Sequence, residues 1–306
     1  MSNQLTVFLP GYINSQNRAE VLAQLPALKQ LFNYSESDKF LFKEVSAAIN
    51  HLPLAKTLAS YNNKSTENTW EIIVQCVHID LDQTQGYLRL IDTHKIEDNV
   101  KSALHAVLET WAKAYQLGIL PLKDQLSWLV SSNKALTQTC YARPEVIVGE
   151  AIAEKMPLPE DGKIFQWFNE LQMLFYSQPQ IRSSGINAIW FWGNGERVAK
   201  YDGFISNDEN IKVFAKYQHF ACATNYNADI LNTCKNILFI DTQSYIYKHQ
   251  NPLSYLTSLD DTLFRPLLND YKKKKITALN LCFADNVSVK LKQANVGLFK
   301  RIFGKL

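Results

Sequence analysis

Short apolar runs alternate with longer segments of helical periodicity along this chain. Leu5-Thr-Val-Phe-Leu9 is an apolar run closed by Pro10-Gly11, the pattern of a buried strand that ends in a turn. Arg18 to Phe32 repeats apolar residues at helical spacing, with a break at Pro26, and Phe40 to Leu58 predicts a second helical stretch. Residues 61–68 are polar and turn-rich, a surface loop. Trp70 to Asp82 alternates and is rich in β-branched residues. With Gln83-Thr-Gln-Gly86 and Tyr87 to Ile91 it predicts a β-hairpin. Asp98 to Gln116 places Val100, Leu104, Val107, Leu108, Trp111 and Tyr115 on one side of a helix whose expected stop is Gly118. Lys163–Tyr176 and Tyr255–Tyr271 read as helices; Ile186–Trp192, Ile237–Ile240 and Ala278–Phe283 read as strands.

Apolar strands alternating with helices predict an α/β fold: a central, largely parallel sheet flanked by helices, with a β-hairpin insertion. That sheet is expected to include Thr6–Leu9, Ile186–Trp192 and Ile237–Ile240. The expected organisation is an N-terminal α/β part over residues 1–145, carrying the hairpin, and a C-terminal part over 146–306, the two forming one compact unit.

Composition narrows the class. At 46% hydrophobic and 20% charged the chain is an ordinary globular mixture, and a net charge of +3 over 306 residues gives no reason to expect nucleic acid. Cys76, Cys140, Cys222, Cys234 and Cys282 are widely spaced, with neither Cys-x-x-Cys nor Cys/His zinc spacing, so reduced thiols in a cytoplasmic protein are expected. No basic segment followed by a long apolar stretch opens the chain, so no secretory signal is expected, and no run reaches membrane-spanning length.

The richest stretch carries Glu170, Gln172, Met173, Pro179, Arg182, Gly185, Asn187, Trp190, Trp192, Gly193, Asn194 and Gly195. It resembles the signature of the RpfE-type regulatory proteins, which runs Glu-x-Gln-Met-Leu-Leu, then Pro and Arg, then Gly, Asn and Trp-x-Trp-Gly-Gly-Gly, with Asn194 standing at the middle glycine. Phe8-Leu-Pro-Gly11, and Tyr87-Leu-Arg89 with Asp92 and His94, extend the resemblance along the chain. The C-terminal half is distantly similar to the cofactor-independent phosphoglycerate mutases of the alkaline phosphatase superfamily. That resemblance implies a mutase-like scaffold, on which two-metal chemistry needs Asp and His ligands from several strand ends. Here Pro10 stands where the Asp after the first strand would, and where the mutase segment offers His, Asp and His, Asp241 sits near the first, Ile246 near the second, and His249 is offset by one from the third. The expected protein is therefore regulatory or ligand-sensing on a degenerate scaffold. No metal site, no cofactor and no assigned catalytic residue are expected. The alternative is a metal-dependent phosphoryl-transfer enzyme with a rearranged site using Asp241, His249 and Glu196.

Position points to a candidate crevice. Ile186–Trp192 and Ile237–Ile240 end in Gly193-Asn194-Gly195-Glu196-Arg197 and in Asp241, and α/β folds bind ligands at the carboxyl ends of their strands. Gly193, Asn194, Gly195, Glu196, Arg197 and Asp241 are the expected ligand-binding residues, with Arg197 or Lys200 suited to a small anionic metabolite. Structural roles are expected for Trp192 in the core, for Asn187 through backbone hydrogen bonds, and for Glu170 and Arg182 as an ion pair. The tail places Phe299, Ile302, Phe303 and Leu306 at helical spacing among Lys300, Arg301 and Lys305. It reads as an amphipathic segment that docks on the body, or that meets a protein partner or an anionic membrane through residues 296–306.

Overall fold

The computed structural model describes residues 3–9, 17–38, 41–62, 69–82, 85–148, 151–153, 155–196, 200–227, 229–241, 252–283 and 287–292. Pro10, Arg197, His249 and the tail 296–306 lie outside the described residues. In chain order the strands are β1 (Gln4–Phe8), β2 (Glu36–Ser37), β3 (Trp70–Leu81), β4 (Gly86–Leu90), β5 (Gly118–Pro121), β6 (Ser127–Ser132), β7 (Ala188–Trp192), β8 (Gly203–Ser206), β9 (Ala221–Ala223), β10 (Asn236–Ile240), β11 (Ala278–Cys282) and β12 (Ser288–Lys292). Two compact units form, residues 1–48 with 199–306, and residues 49–198, so the boundary expected near residue 145 falls inside the second unit. Among the described residues no helix is long and apolar enough to cross a membrane.

The first unit holds the largely parallel sheet, in the order β2-β12-β11-β1-β10-β8-β9. The run from β11 to β9 is parallel, and β12 and β2 add antiparallel at one edge. Strands β1, β8, β10 and β11 are buried along nearly their whole length, as parallel strands covered on both faces must be. Alternation sorts their side chains. Leu5, Val7, Ile205, Ile237 and Phe239 join the core built by helices Arg18–Gln24, Pro26–Asn33, Pro252–Leu259 and Arg265–Lys272. Phe204 points the other way and meets Phe214 of helix Glu209–Tyr217 edge-on, with ring centroids 5.6 Å apart.

Helix Pro26–Asn33 cannot cap itself, because Leu25 stands at its N-cap. The cap comes from far along the chain. Asp260, buried at the start of a π-helical turn over Asp260–Phe264, accepts from the N–H groups of Ala27 (3.1 Å) and Leu28 (2.9 Å). A carboxylate at a helix N-terminus satisfies orphan donors and meets the positive end of the dipole.

The second unit is built on β3. Its first half pairs antiparallel with β6 and its second half with β4, and β7 pairs antiparallel with its centre. The hairpin expected from the alternation is thus β3–β4. Ile186–Trp192 does form a strand, but it joins this antiparallel sheet instead of the parallel one. Five successive buried residues in β7 look like a parallel strand because both faces are covered. Helix Lys163–Ser177 lies against β7, so burial on two faces needs no parallel neighbour. Helix Asp98–Ala114 stops at a left-handed Gln116 (φ 55°), and Gly118 is instead the first residue of β5.

On the hairpin, the Arg89 guanidinium hydrogen-bonds the Asp80 carboxylate and, with His78 at 2.9 Å, holds it below its ordinary range. A depressed folded pKa gives stability that is present at neutral pH and lost as pH falls through it. The urea midpoint of the wild type should therefore fall more steeply on acidification than that of Asp80→Asn. In a second measurement at neutral pH, Asp260→Ala should lose about 2 kcal/mol of stability through the uncapped helix. Arg265→Ala, on the exposed side of the same turn, should stay within about 0.5 kcal/mol of wild type.

Candidate functional site

β7 ends at Trp192, and the next three residues leave the sheet along a constrained path. Gly193 takes a left-handed conformation (φ 83°), and its carbonyl accepts from Ala55 N–H (2.9 Å) near the start of helix Leu54–Tyr61. Gly195 runs against the main chain of His51: a Cβ added there would stand 2.3 Å from the His51 carbonyl carbon. Only glycine permits that approach. Between them Asn194 donates through Nδ2 to Thr139 C=O (2.8 Å). The turn is thereby tied both to the helix start and to residues 137–140.

These segments bound a cleft of about 620 Å³ lined by Asn194, Gly195 and Glu196, by His51, Pro53 and Lys56, by Thr69, Trp70 and Glu71, and by Thr137, Gln138 and Cys140. Glu71, at the start of β3, is 5% exposed and accepts the Thr69 hydroxyl at 2.5 Å. The Cys140 thiol donates to Asn50 C=O (3.0 Å). Burial, with the Glu196 charge adding to it, pushes that thiol up to about 11. It stays protonated at neutral pH and is not a nucleophile there.

Asp241 stands elsewhere. It follows β10 at the carboxyl edge of the parallel sheet and is 3% exposed. Its carboxylate accepts from Asn207 Nδ2 (3.1 Å) and from the Tyr255 hydroxyl. It lines a cavity of about 80 Å³ with Thr224, Tyr226 and Thr262, among others. The expectation that the strands before Gly193 and before Asp241 belong to one sheet is corrected: β7 pairs with β3, whereas β10 pairs with β1 and β8. Lys200 belongs to the first unit, so it does not share the second unit with Gly193–Glu196. Among the described residues no group of three or more His, Cys, Asp or Glu side chains is placed to hold a metal.

Glu170 and Arg182 do not form the expected ion pair. The Glu170 carboxylate accepts the Tyr115 hydroxyl (2.5 Å) and pushes that phenol up to about 12, while the Arg182 guanidinium lies over the Tyr176 ring at 5.2 Å. The two residues sit on successive helices, Lys163–Ser177 and Pro179–Ser183, and each side chain finds a nearer aromatic partner. Asn187 does bond backbone, on the neighbouring strand. Its Oδ1 accepts from Ile79 N–H and its Nδ2 donates to Ile79 C=O, both at 2.8 Å, which extends the β7–β3 pairing back before the start of β7. Trp192 is buried under the Arg143 guanidinium, 4.6 Å from the ring. Sequence reasoning missed Glu71, Thr69, Lys56, His51 and Cys140. The available signal was a charged residue, Glu71, in a strand otherwise rich in Ile and Val.

Two substitutions test the wall of the cleft by urea unfolding. Gly195→Ala should lose about 1–3 kcal/mol, since its methyl must displace backbone and not a flexible side chain. Asn187→Ala should lose about 1–2 kcal/mol by removing both bonds to Ile79.

No family model matches the chain, and no curated protein matches it. Among solved structures the chain is similar to the PH0037 protein from Pyrococcus horikoshii, at 11% identity over 94% of this chain and 86% of that one, with a TM-score of 0.42. A likeness of that size carries no functional argument.

Proposed function

We propose that this chain is a ligand-binding regulatory protein, as its resemblance to the RpfE-type family implies, and that the cleft of residues 49–198 is its ligand site. The observation that carries the reading is the cleft itself. Its volume of about 620 Å³ falls in the range of small-molecule sites, and its wall is held open by main chain packed on main chain at Gly195 and His51. A pre-formed wall loses little entropy when a ligand arrives. The protonated thiol of Cys140 favours binding over nucleophilic chemistry. All five cysteines are free, which supports a cytoplasmic setting.

A second reading, the phosphoryl-transfer enzyme, is favoured by one observation: Asp241 is a buried carboxylate at the carboxyl edge of a parallel sheet, where α/β folds place their crevices. Metal-dependent hydrolysis of p-nitrophenyl phosphate that disappears in Asp241→Asn would decide for it.

The binding reading is tested by thermal shift on the whole chain with a panel of phosphorylated, carboxylated and aminated metabolites. A compound that binds only the folded state raises the melting temperature by mass action. At least one should do so, and the shift should be lost in Trp70→Ala, which removes an aromatic wall of the cleft. A shift that survives unchanged in Trp70→Ala places the ligand site outside the cleft.

A further inference from the structure

The parallel sheet of the first unit gathers lysines at the edge where its strands begin. Lys200 stands ahead of β8, Lys216 in the last turn of the helix that leads to β9, Lys235 ahead of β10, and Lys272, Lys273, Lys274 and Lys275 ahead of β11. All of them are exposed. Hydrogen bonds to the main chain hold these loops side by side. Thr277 N–H donates to Asn3 C=O (2.9 Å), Gln4 N–H to Lys235 C=O (2.7 Å), and Lys235 N–H to the Asp202 carboxylate (3.1 Å). The acids among them are few. Asp202 accepts from the main chain of Lys235 and Asn236, Asp270 is buried between Lys275 and the Tyr226 hydroxyl, and Asp229 is exposed ahead of the short helix Ile230–Thr233. Even with all three counted, the seven lysines leave a positive excess. Residues outside the described set do not reverse it. In the first unit Asp285 is the one Asp or Glu among them, and in sequence it falls between the far end of β11 and the start of β12. Helix dipoles favour cations at helix ends, which accounts for Lys216 and Lys272. They do not account for Lys200, ahead of a strand, or for a run that continues to Lys275.

The chain also leaves the sheet at this edge. β12 runs antiparallel to β11 and ends at Lys292, the register partner of Ala278, just past Lys275. The sequence that follows, 293–306, has no Asp or Glu, adds Lys300, Arg301 and Lys305, and sets Phe299, Ile302, Phe303 and Leu306 at helical spacing. We infer that the amino edge of the parallel sheet is a docking surface for an anionic lipid bilayer. The lysines of the edge supply the electrostatic attraction, and the apolar positions of 293–306 insert among the lipids. A nucleic acid would use the lysines but has no place for four apolar side chains, and that asymmetry favours the bilayer. The inference is independent of the ligand cleft, which lies in the second unit.

The test is co-sedimentation of the full chain with vesicles of phosphatidylcholine alone or with phosphatidylserine at about 30%, a membrane of strongly negative surface potential. The chain should bind the mixed vesicles only, and more weakly as salt rises. Lys235→Gln, Lys273→Gln and Lys274→Asn together should weaken binding about a hundredfold, since each lysine near an anionic surface contributes about fivefold. Asn is chosen at 274 because the backbone there is left-handed (φ 62°). Arginine at the same three positions should bind as wild type. Lys95→Gln, Lys113→Gln and Lys134→Gln remove equal charge from exposed positions of the second unit and should change binding less than about threefold. An equal loss there assigns the attraction to net charge and overturns the edge. Phe299→Ser with Phe303→Ser should weaken binding about tenfold or more; unchanged binding overturns insertion by 293–306. A DNA duplex bound more tightly than the vesicles, lost in the glutamine and asparagine variant but kept in the serine variant, assigns the edge to nucleic acid and overturns the bilayer. Failure to sediment with the mixed vesicles at low salt overturns the inference outright.

Discussion

The contact on which the rest of the second unit depends is the approach of Gly195 to the main chain of His51. A Cβ at that position would stand 2.3 Å from a backbone carbon, inside any tolerable contact. With hydrogen in its place, the chain leaving β7 lies flat on residues 51–55, and Gly193 C=O takes the N–H of Ala55. That N–H lies in the first turn of helix Leu54–Tyr61, where no intrahelical partner exists for it. One steric allowance thus fixes three things together: the exit of β7, the start of the helix that carries Lys56, and the wall of the cleft.

The same economy governs β3. It is 12 residues long and serves three partners, β4, β6 and β7. A strand so shared must not leave backbone groups unsatisfied where a partner ends. Asn187 answers this just before the start of β7, where its side-chain amide imitates a peptide group and engages both the N–H and the C=O of Ile79. In the first unit Asp260 plays the comparable part, replacing a missing local cap from 233 residues along the chain. Both are polar side chains completing main-chain hydrogen bonding across long sequence separations.

Much of the architecture was legible in the sequence because it is written in local pattern. The alternation of Trp70–Asp82, the Pro26 break and the apolar runs of β1, β10 and β11 follow from period and punctuation alone. What pattern does not carry is the identity of the neighbour. Ala188–Trp192 is buried on both faces, and the sequence records that burial but not whether a parallel or an antiparallel strand lies beside it. The cleft was half legible. Asn194, Gly195 and Glu196 stood out as a turn after a strand, but Lys56, Glu71 and Cys140 come from three other segments, each unremarkable on its own and meeting only through the fold.

The two buried carboxylates at candidate positions show how space decides between them. Asp241 sits where parallel sheets offer a crevice, yet Asn207 and Tyr255 both donate to it, and the adjoining cavity of about 80 Å³ has room for only a few waters at about 30 Å³ each. A ligand entering there must displace protein groups already bonded to the carboxylate. Glu71 is as deeply buried, but the cleft beside it holds about 620 Å³ and carries further acceptors in its lining. For a metabolite-sized molecule the difference in room outweighs the favourable address of Asp241. Among the described residues the Asp241 carboxylate is already bonded to its own neighbours, and the larger cleft lies in the antiparallel unit.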